Sequence, residues 1–300
     1  MPENYSVEHG LSNVSFEPYN ESEQKSAGWS DEGIRGTWND RYMARRVVYP
    51  DGQLEVTVCR EKHFLGPAYT GNKQTKRGES ENRERNDAVA GRAAKKKVRD
   101  RCKMIGADRM ITLTYRDNMT DRETALKHWD RFRRRMSKHK QFHYVAIIEE
   151  QQRGALHFHV AVSGRQSYHL LRSIWSSIVG VDEQGRSMSN IDVRNPAKFG
   201  FGKDGIHKLA SYIAKYCGKS MDCRELDQKR YFTSRGIPKP EIQSWVLACK
   251  NSLGAVQTAF AIAGSGLLDG AQYWYNKALD VIWIATAPHD ATGSQDDAPF

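Results

Sequence analysis

The sequence predicts an α+β fold: a central antiparallel sheet of split βαβ, ferredoxin-like topology, with helices packed on it and a helical C-terminal region. Three observations carry that expectation. Strand-like segments rich in β-branched and apolar residues recur at 109–115, 143–150, 155–163 and 189–195. Two amphipathic segments, 120–139 and 168–179, fall between them with helical spacing. The middle two strands are joined by a short turn around Gly154, which leaves no room for the crossover a parallel pair needs.

Taken in order, residues 1–40 hold eight acidic and two basic residues among Gly, Ser and Asn, the composition of a poorly ordered segment. Residues 41–235 form the main domain, with its motif-bearing core at 109–220, and 236–300 read as a mostly helical C-terminal region. "YMARRVVYPDGQLEVTVCREKHF" is two strands about a PDG turn. "AVAGRAAKKKVRDRCKMIG" is a basic helix that ends at Gly106. "RMITLTY" alternates as a strand does. "TDRE", Thr120 to Glu123, is a capping box that opens a helix whose apolar face is Leu126, Trp129, Phe132 and Met136. "HYVAIIEE" and "ALHFHVAVS" are the hairpin strands, and "YHLLRSIWSSIV" is a second amphipathic helix. "SNIDVRN" is a short strand, and "GIHKLASYIAKYCGKS" a helix ending near Gly218.

Charge narrows the partner. The formal net charge is +10 and the pI about 9.3. Residues 72–140 alone carry 22 Lys/Arg against 10 Asp/Glu. A basic block of this size attracts phosphate-rich polymers and releases their counterions, so nucleic acid is the expected partner. Five cysteines without a CxxC pair argue against a disulfide framework. The first residues have no secretory pattern, and no apolar run reaches membrane length. A cytoplasmic protein with no membrane partner is expected.

"GALHFHVAVSG" places two of the ten histidines, His157 and His159, two apart in an apolar run. Alternation along a strand points both to one face while Leu156, Phe158 and Val160 face the other. The preceding strand ends in Glu149 and Glu150, and the turn returns that end beside the histidines. Glu149 with His157 and His159 is a two-imidazole, one-carboxylate set suited to Mn²⁺, and to Mg²⁺ when phosphate adds oxygens. Glu150 falls on the alternate face.

"SYIAKYCGKS" completes the constellation. Tyr212 and Tyr216 are one helical turn apart, and Lys215 and Lys219 follow each by three. A tyrosine is a weak nucleophile at neutral pH unless the scissile phosphate is polarised and its charge offset. Tyrosine, lysine and a divalent cation together suit formation of a tyrosyl–phosphate ester, a step that a hydroxyl can later reverse.

These residues resemble the HUH endonucleases, specifically the rolling-circle replication initiators (Rep) of bacterial plasmids and small single-stranded DNA phages. "MITLTY" (110–115) looks like motif I, "HFHVAV" (157–162) is similar to the His-hydrophobe-His motif II, and "YIAKYCGK" (212–219) resembles motif III. The resemblance spans about 109–235. It implies a replication initiation endonuclease that cuts one strand at an origin, leaves a 5′-phosphotyrosine and a free 3′-OH, and rejoins the strand. By the resemblance Glu149, His157 and His159 are the metal ligands, and Tyr212 and Tyr216 the nucleophiles, assisted by Lys215 and Lys219. Tyrosines that follow the histidines match Rep proteins rather than conjugative relaxases. No Walker A pattern occurs in the chain, so single-stranded or hairpin origin DNA would be opened by a host helicase and copied by a host polymerase. Tyr115, Arg116, Arg131, Arg134 and Arg135 are the candidates for DNA contact. Two other readings use the same frame: an HUH-type transposase or strand transferase, and a non-catalytic DNA-binding regulator. Ala161 excludes the histidine-triad hydrolases, which need a third histidine there.

Overall fold

The computed structural model describes residues 16–18, 37–66, 79–80, 82–195, 205–219, 228–267 and 270–288. Along the chain these form β1 (Phe16–Pro18), β2 (Thr37–Val48), β3 (Leu54–Leu65), α1 (Arg83–Met104), β4 (Arg109–Tyr115) and α2 (Arg122–His139). There follow β5 (Tyr144–Glu150), β6 (Leu156–Val162), α3 (Tyr168–Val179), β7 (Ser189–Arg194), α4 (Gly205–Lys219) and β8 (Phe232–Thr233). The last elements are β9 (Glu241–Leu247), α5 (Ser252–Ala263), β10 (Ala271–Asn276) and β11 (Val281–Thr286). Most of the expectation for residues 1–40 lies outside the described residues.

The chain divides into two compact units, residues 75–239 and residues 1–74 with 240–300. In the first, five antiparallel strands are ordered β7-β4-β6-β5-β8. Taken as one to four, β4, β5, β6 and β7 lie in the order 4-1-3-2, with α2 and α3 as the two crossovers. That is the split βαβ, ferredoxin-like arrangement. It answers the fold class expected.

Both faces of this sheet are covered. On one, Trp129, Phe132 and Met136 of α2 and Leu171, Ile174 and Trp175 of α3 pack on Ile111, Leu113, Phe158 and Val160. On the other, Ala94, Val98 and Cys102 of α1 and Leu209, Ala210 and Ile213 of α4 pack on Met110, Val145, Ile147 and Ala161. The sequence of β5 carries the reason for this double cover. Its run Tyr144–Ile148 is buried throughout, as a strand covered on both faces must be.

Local signals set the ends. α1 closes at Gly106 (φ +59°), where Ala107 N–H donates to the Cys102 carbonyl at 2.9 Å and Gly106 N–H to that of Lys103 at 3.0 Å. α2 is capped by Asp121 rather than Thr120: its Oδ1 accepts from Glu123 N at 2.9 Å and Thr124 N at 3.3 Å. A carboxylate is the stronger acceptor for first-turn amides and suits the positive end of the helix, so the cap moves one residue along.

The second unit corrects two expectations. Strands 37–48 and 54–65 do not join the sheet just described; they sit in a six-stranded sheet ordered β1-β9-β2-β3-β11-β10. Residues 236–300 are not mostly helical either. They supply β9, β10 and β11 besides α5, which packs Ala255, Ala259 and Ala263 on Tyr42, Val56, Val58 and Ile284. A hairpin reads the same locally whichever sheet it enters, and its partners here arrive about two hundred residues later or more. Among the described residues no helix is long and apolar enough to cross a membrane.

Candidate active site

The β5–β6 hairpin builds the site. Gln151 N–H donates to the Ala155 carbonyl and Gly154 N–H to that of Gln151, closing the turn at 2.9 and 2.8 Å. Gly154 has φ +82°, a conformation that L side chains rarely adopt. The resulting register sets Glu149 directly opposite His157 and Ile147 opposite His159. Directly opposed residues share a face, so the carboxylate and both imidazoles project together. His159 Nε2 donates to Glu149 Oε2 at 2.7 Å. His157 Nδ1 lies 3.0 Å from Gln151 Nε2.

Electrostatics favour neutral imidazole at His157. Its pKa is lowered by burial first, then by His159 beside it, with Glu149 opposing. One ring nitrogen therefore carries a basic lone pair at neutral pH. His159 is 7 % exposed, among the few buried polar residues. Glu150 is exposed, on the alternate face as expected.

The same face continues sideways. Thr112 of β4 stands opposite His159, and Asp192 of β7 opposite Thr112, so all three share it. It is also the face on which α4 packs, and Tyr212 is half-buried against that core. Leu209, Ala210, Ile213 and Ala214 anchor the helix, leaving Lys215 exposed. Tyr216 and Lys219 lie on α4, and their side chains are outside the described residues. Among the described residues no group of three or more His, Cys, Asp or Glu side chains stands in a metal-holding arrangement. Glu149 and His159 instead bond to each other.

The DNA-contact candidates separate. Tyr115 is a core residue, 7 % exposed, with its ring 5.3 Å from that of Trp175 and its hydroxyl sharing a 3.3 Å hydrogen bond with His128. Burial pushes its phenol above the ordinary range. It shares parity with Ile111 and Leu113 and so faces α2 and α3, not a nucleic acid. Arg116 is exposed just past β4. Arg131, Arg134 and Arg135 are exposed on α2, which packs on the face opposite the histidines; Arg134 pairs with Asp130 at 2.8 Å and Arg135 donates to Ser177 at 2.6 Å. Gln151 was not anticipated. Its signal was available, since it stands two residues beyond Glu149 and so shares its parity.

The ferredoxin-like sheet with two imidazoles and a carboxylate on one face thus defines the class: an α+β domain with a polar, histidine-bearing sheet surface. Residues 108–221, from the start of β4 past the end of α4, match the family model of replication-associated protein ORF2/G2P. That family is one of replication initiators, and the match is consistent with a Rep protein. No curated protein and no solved structure matches the chain.

Proposed function

We propose that the chain is a replication initiation endonuclease that nicks one DNA strand through a tyrosine nucleophile. The observation that carries this is the Glu149, His157 and His159 cluster on the sheet face against which the Tyr212 helix packs, inside the segment matching a replication-initiator family. In this reading Tyr212 or Tyr216 attacks the scissile phosphorus. The tyrosine O–P bond forms, the bond from phosphorus to the 3′-oxygen breaks, and the phenolic proton is lost while the 3′-oxygen gains one. The products are a 5′-phosphotyrosine and a 3′-OH that primes synthesis. Lys215 and Lys219 offset charge on the phosphate and the phenolate.

Glu149, His157 and His159 would hold a divalent cation, Mg²⁺ or Mn²⁺, and the donor chemistry fits: one hard carboxylate oxygen and imidazoles, one of them kept neutral by its surroundings. When bound, such a cation supplies Lewis-acid polarisation of the phosphate. Holding it exchanges the Glu149–His159 hydrogen bond for bonds to the ion. In this reading a host helicase opens the strand and a host polymerase extends it, in a bacterial cytoplasm.

The test is a denaturing gel on a mixed pool of labelled single strands with Mn²⁺, wild type beside Tyr212→Phe, Tyr216→Phe and the double variant. A protein–DNA adduct that survives denaturation and is lost in the double variant is expected. Persistence of the adduct in the double variant, or binding with no adduct on the cognate origin, would overturn the tyrosine reading and leave a DNA-binding regulator.

A further inference from the structure

At the edge of the five-stranded sheet, away from Glu149, lies a groove of about 1380 Å³. It is lined by the first turn of α1, the last turns of α2, the start of β5 and the segment 228–235 that carries β8. Seven of its lining residues are Lys or Arg and one, Asp87, is a carboxylate. That carboxylate is already engaged: Arg230 Nη2 lies 3.0 Å and Arg83 Nε 4.0 Å from its oxygens. The amide end of α1, which opens on the groove, adds positive partial charge.

Size and charge together select the occupant. The volume exceeds the roughly 300–1,000 Å³ of ordinary small-molecule sites, and such sites are mostly apolar. A cationic trough running past the sheet edge, from α1 on one layer to α2 on the other, suits an extended polyanion. Lys140, Lys229 and Arg235 are exposed in it and make no ion pair among the described residues.

We propose that this groove holds the phosphodiester backbone of the DNA strand flanking the cleaved position, a second contact surface distinct from the histidine face. The assignment of the strand rests on the nicking reading; the affinity for a polyanion does not. The groove begins at Tyr144; Ile147, opposite His159, and Glu149, opposite His157, lie three and five residues further along β5, about 10 and 17 Å away. At about 3.4 Å or more per nucleotide, a strand held at the histidines covers that distance within about six nucleotides, so one strand can occupy both surfaces. Arg133 and Arg134 of α2, both paired with Asp130, also line the groove on the far layer of the sheet.

The test uses the full chain and fluorescence anisotropy across a salt series, with labelled oligothymidine of about 30 nucleotides, a long strand that exceeds single-strand site sizes and can cover both surfaces. Lys140→Gln, Lys229→Gln and Arg235→Gln are combined in one variant. Lys127→Gln, Arg165→Gln and Arg172→Gln, exposed positions outside the groove, make the charge-matched control. Thermal midpoints confirm that both fold. The groove variant should lose about tenfold or more in affinity for the long strand, and its slope of log K against log salt should fall by about two, since three single-strand phosphate contacts contribute about 0.7 each. The control should change little. An unchanged groove variant, or an equal loss in the control, overturns the proposal. Adduct formation by wild type is scored separately. An adduct with an unaffected groove variant removes the groove and leaves nicking; no adduct with a lowered salt slope removes nicking and leaves the groove.

Discussion

His157 and His159 stand two apart on one strand yet are held by different partners. His159 is fixed by a carboxylate, His157 by the amide of Gln151. Side chains that orient a ligating ring typically contribute 10–100-fold to metal affinity. Gln151→Ala should therefore raise the Mn²⁺ concentration for half-maximal adduct yield by about tenfold, with Gln151→Glu recovering part of it; an unchanged Mn²⁺ titration would show that Gln151 positions nothing. His128 offers a test of stability rather than chemistry. Burial, and then the charge of Arg131, lower its pKa below the ordinary histidine value near 6.5. The folded chain resists a proton that the unfolded chain accepts, so stability is full above about pH 6.5 and falls as the pH drops below it. Urea midpoints at neutral and mildly acidic pH should show a smaller acid loss in His128→Gln than in wild type. The cluster residues were legible because strand parity is strict. Tyr115 obeyed the same rule: its alternation with Ile111 and Leu113 marks a core ring, although it stood among the candidates for DNA contact.

At the scale of elements, the β5–β6 turn sets the distance between carboxylate and imidazoles. Gly154 holds φ +82°, and a Cβ there would meet Thr120 Cγ2 at 3.4 Å. Gly154→Val should cost about 1–3 kcal/mol through backbone strain and lower adduct yield by disturbing the register. Gly154→Asn, which tolerates this region better, should cost less. Calorimetry and the adduct gel check both, and a Val variant as stable as wild type would show the turn to be adaptable. Strand and helix existence was readable here because the periods are clean: the helix at 168–179 and the strand at 109–115 fall on the residues expected. The layer formed by α1 and α4 was not read, although the unbroken apolar run in β5 called for it. The end strands were missed for a related reason. "VIWIAT" is a continuous apolar run that periodicity does not separate from a buried helix.

At the scale of the molecule, one unit is inserted into the sequence of the other. β2 pairs with β9 and β3 with β11, so the six-stranded sheet needs both ends of the chain, whereas residues 75–239 hold their own sheet and two cores. Residues 75–239 expressed alone should unfold cooperatively with native-like circular dichroism, and residues 1–74 alone should not fold. A non-cooperative transition in the first fragment would contradict its independence. Pairing across such a separation was beyond a pattern read within short windows. It also sets an order of events during synthesis. When β2 and β3 leave the ribosome, the strand that will flank each of them has not been made. The hairpin must wait with both outer edges open while the whole inserted unit emerges and folds, and long-range pairing is slow even then. Open edges invite pairing with other chains. The newborn protein is therefore most exposed to aggregation before residue 241 is translated, and slowing translation within the inserted unit should lower its soluble yield more than slowing it after β11.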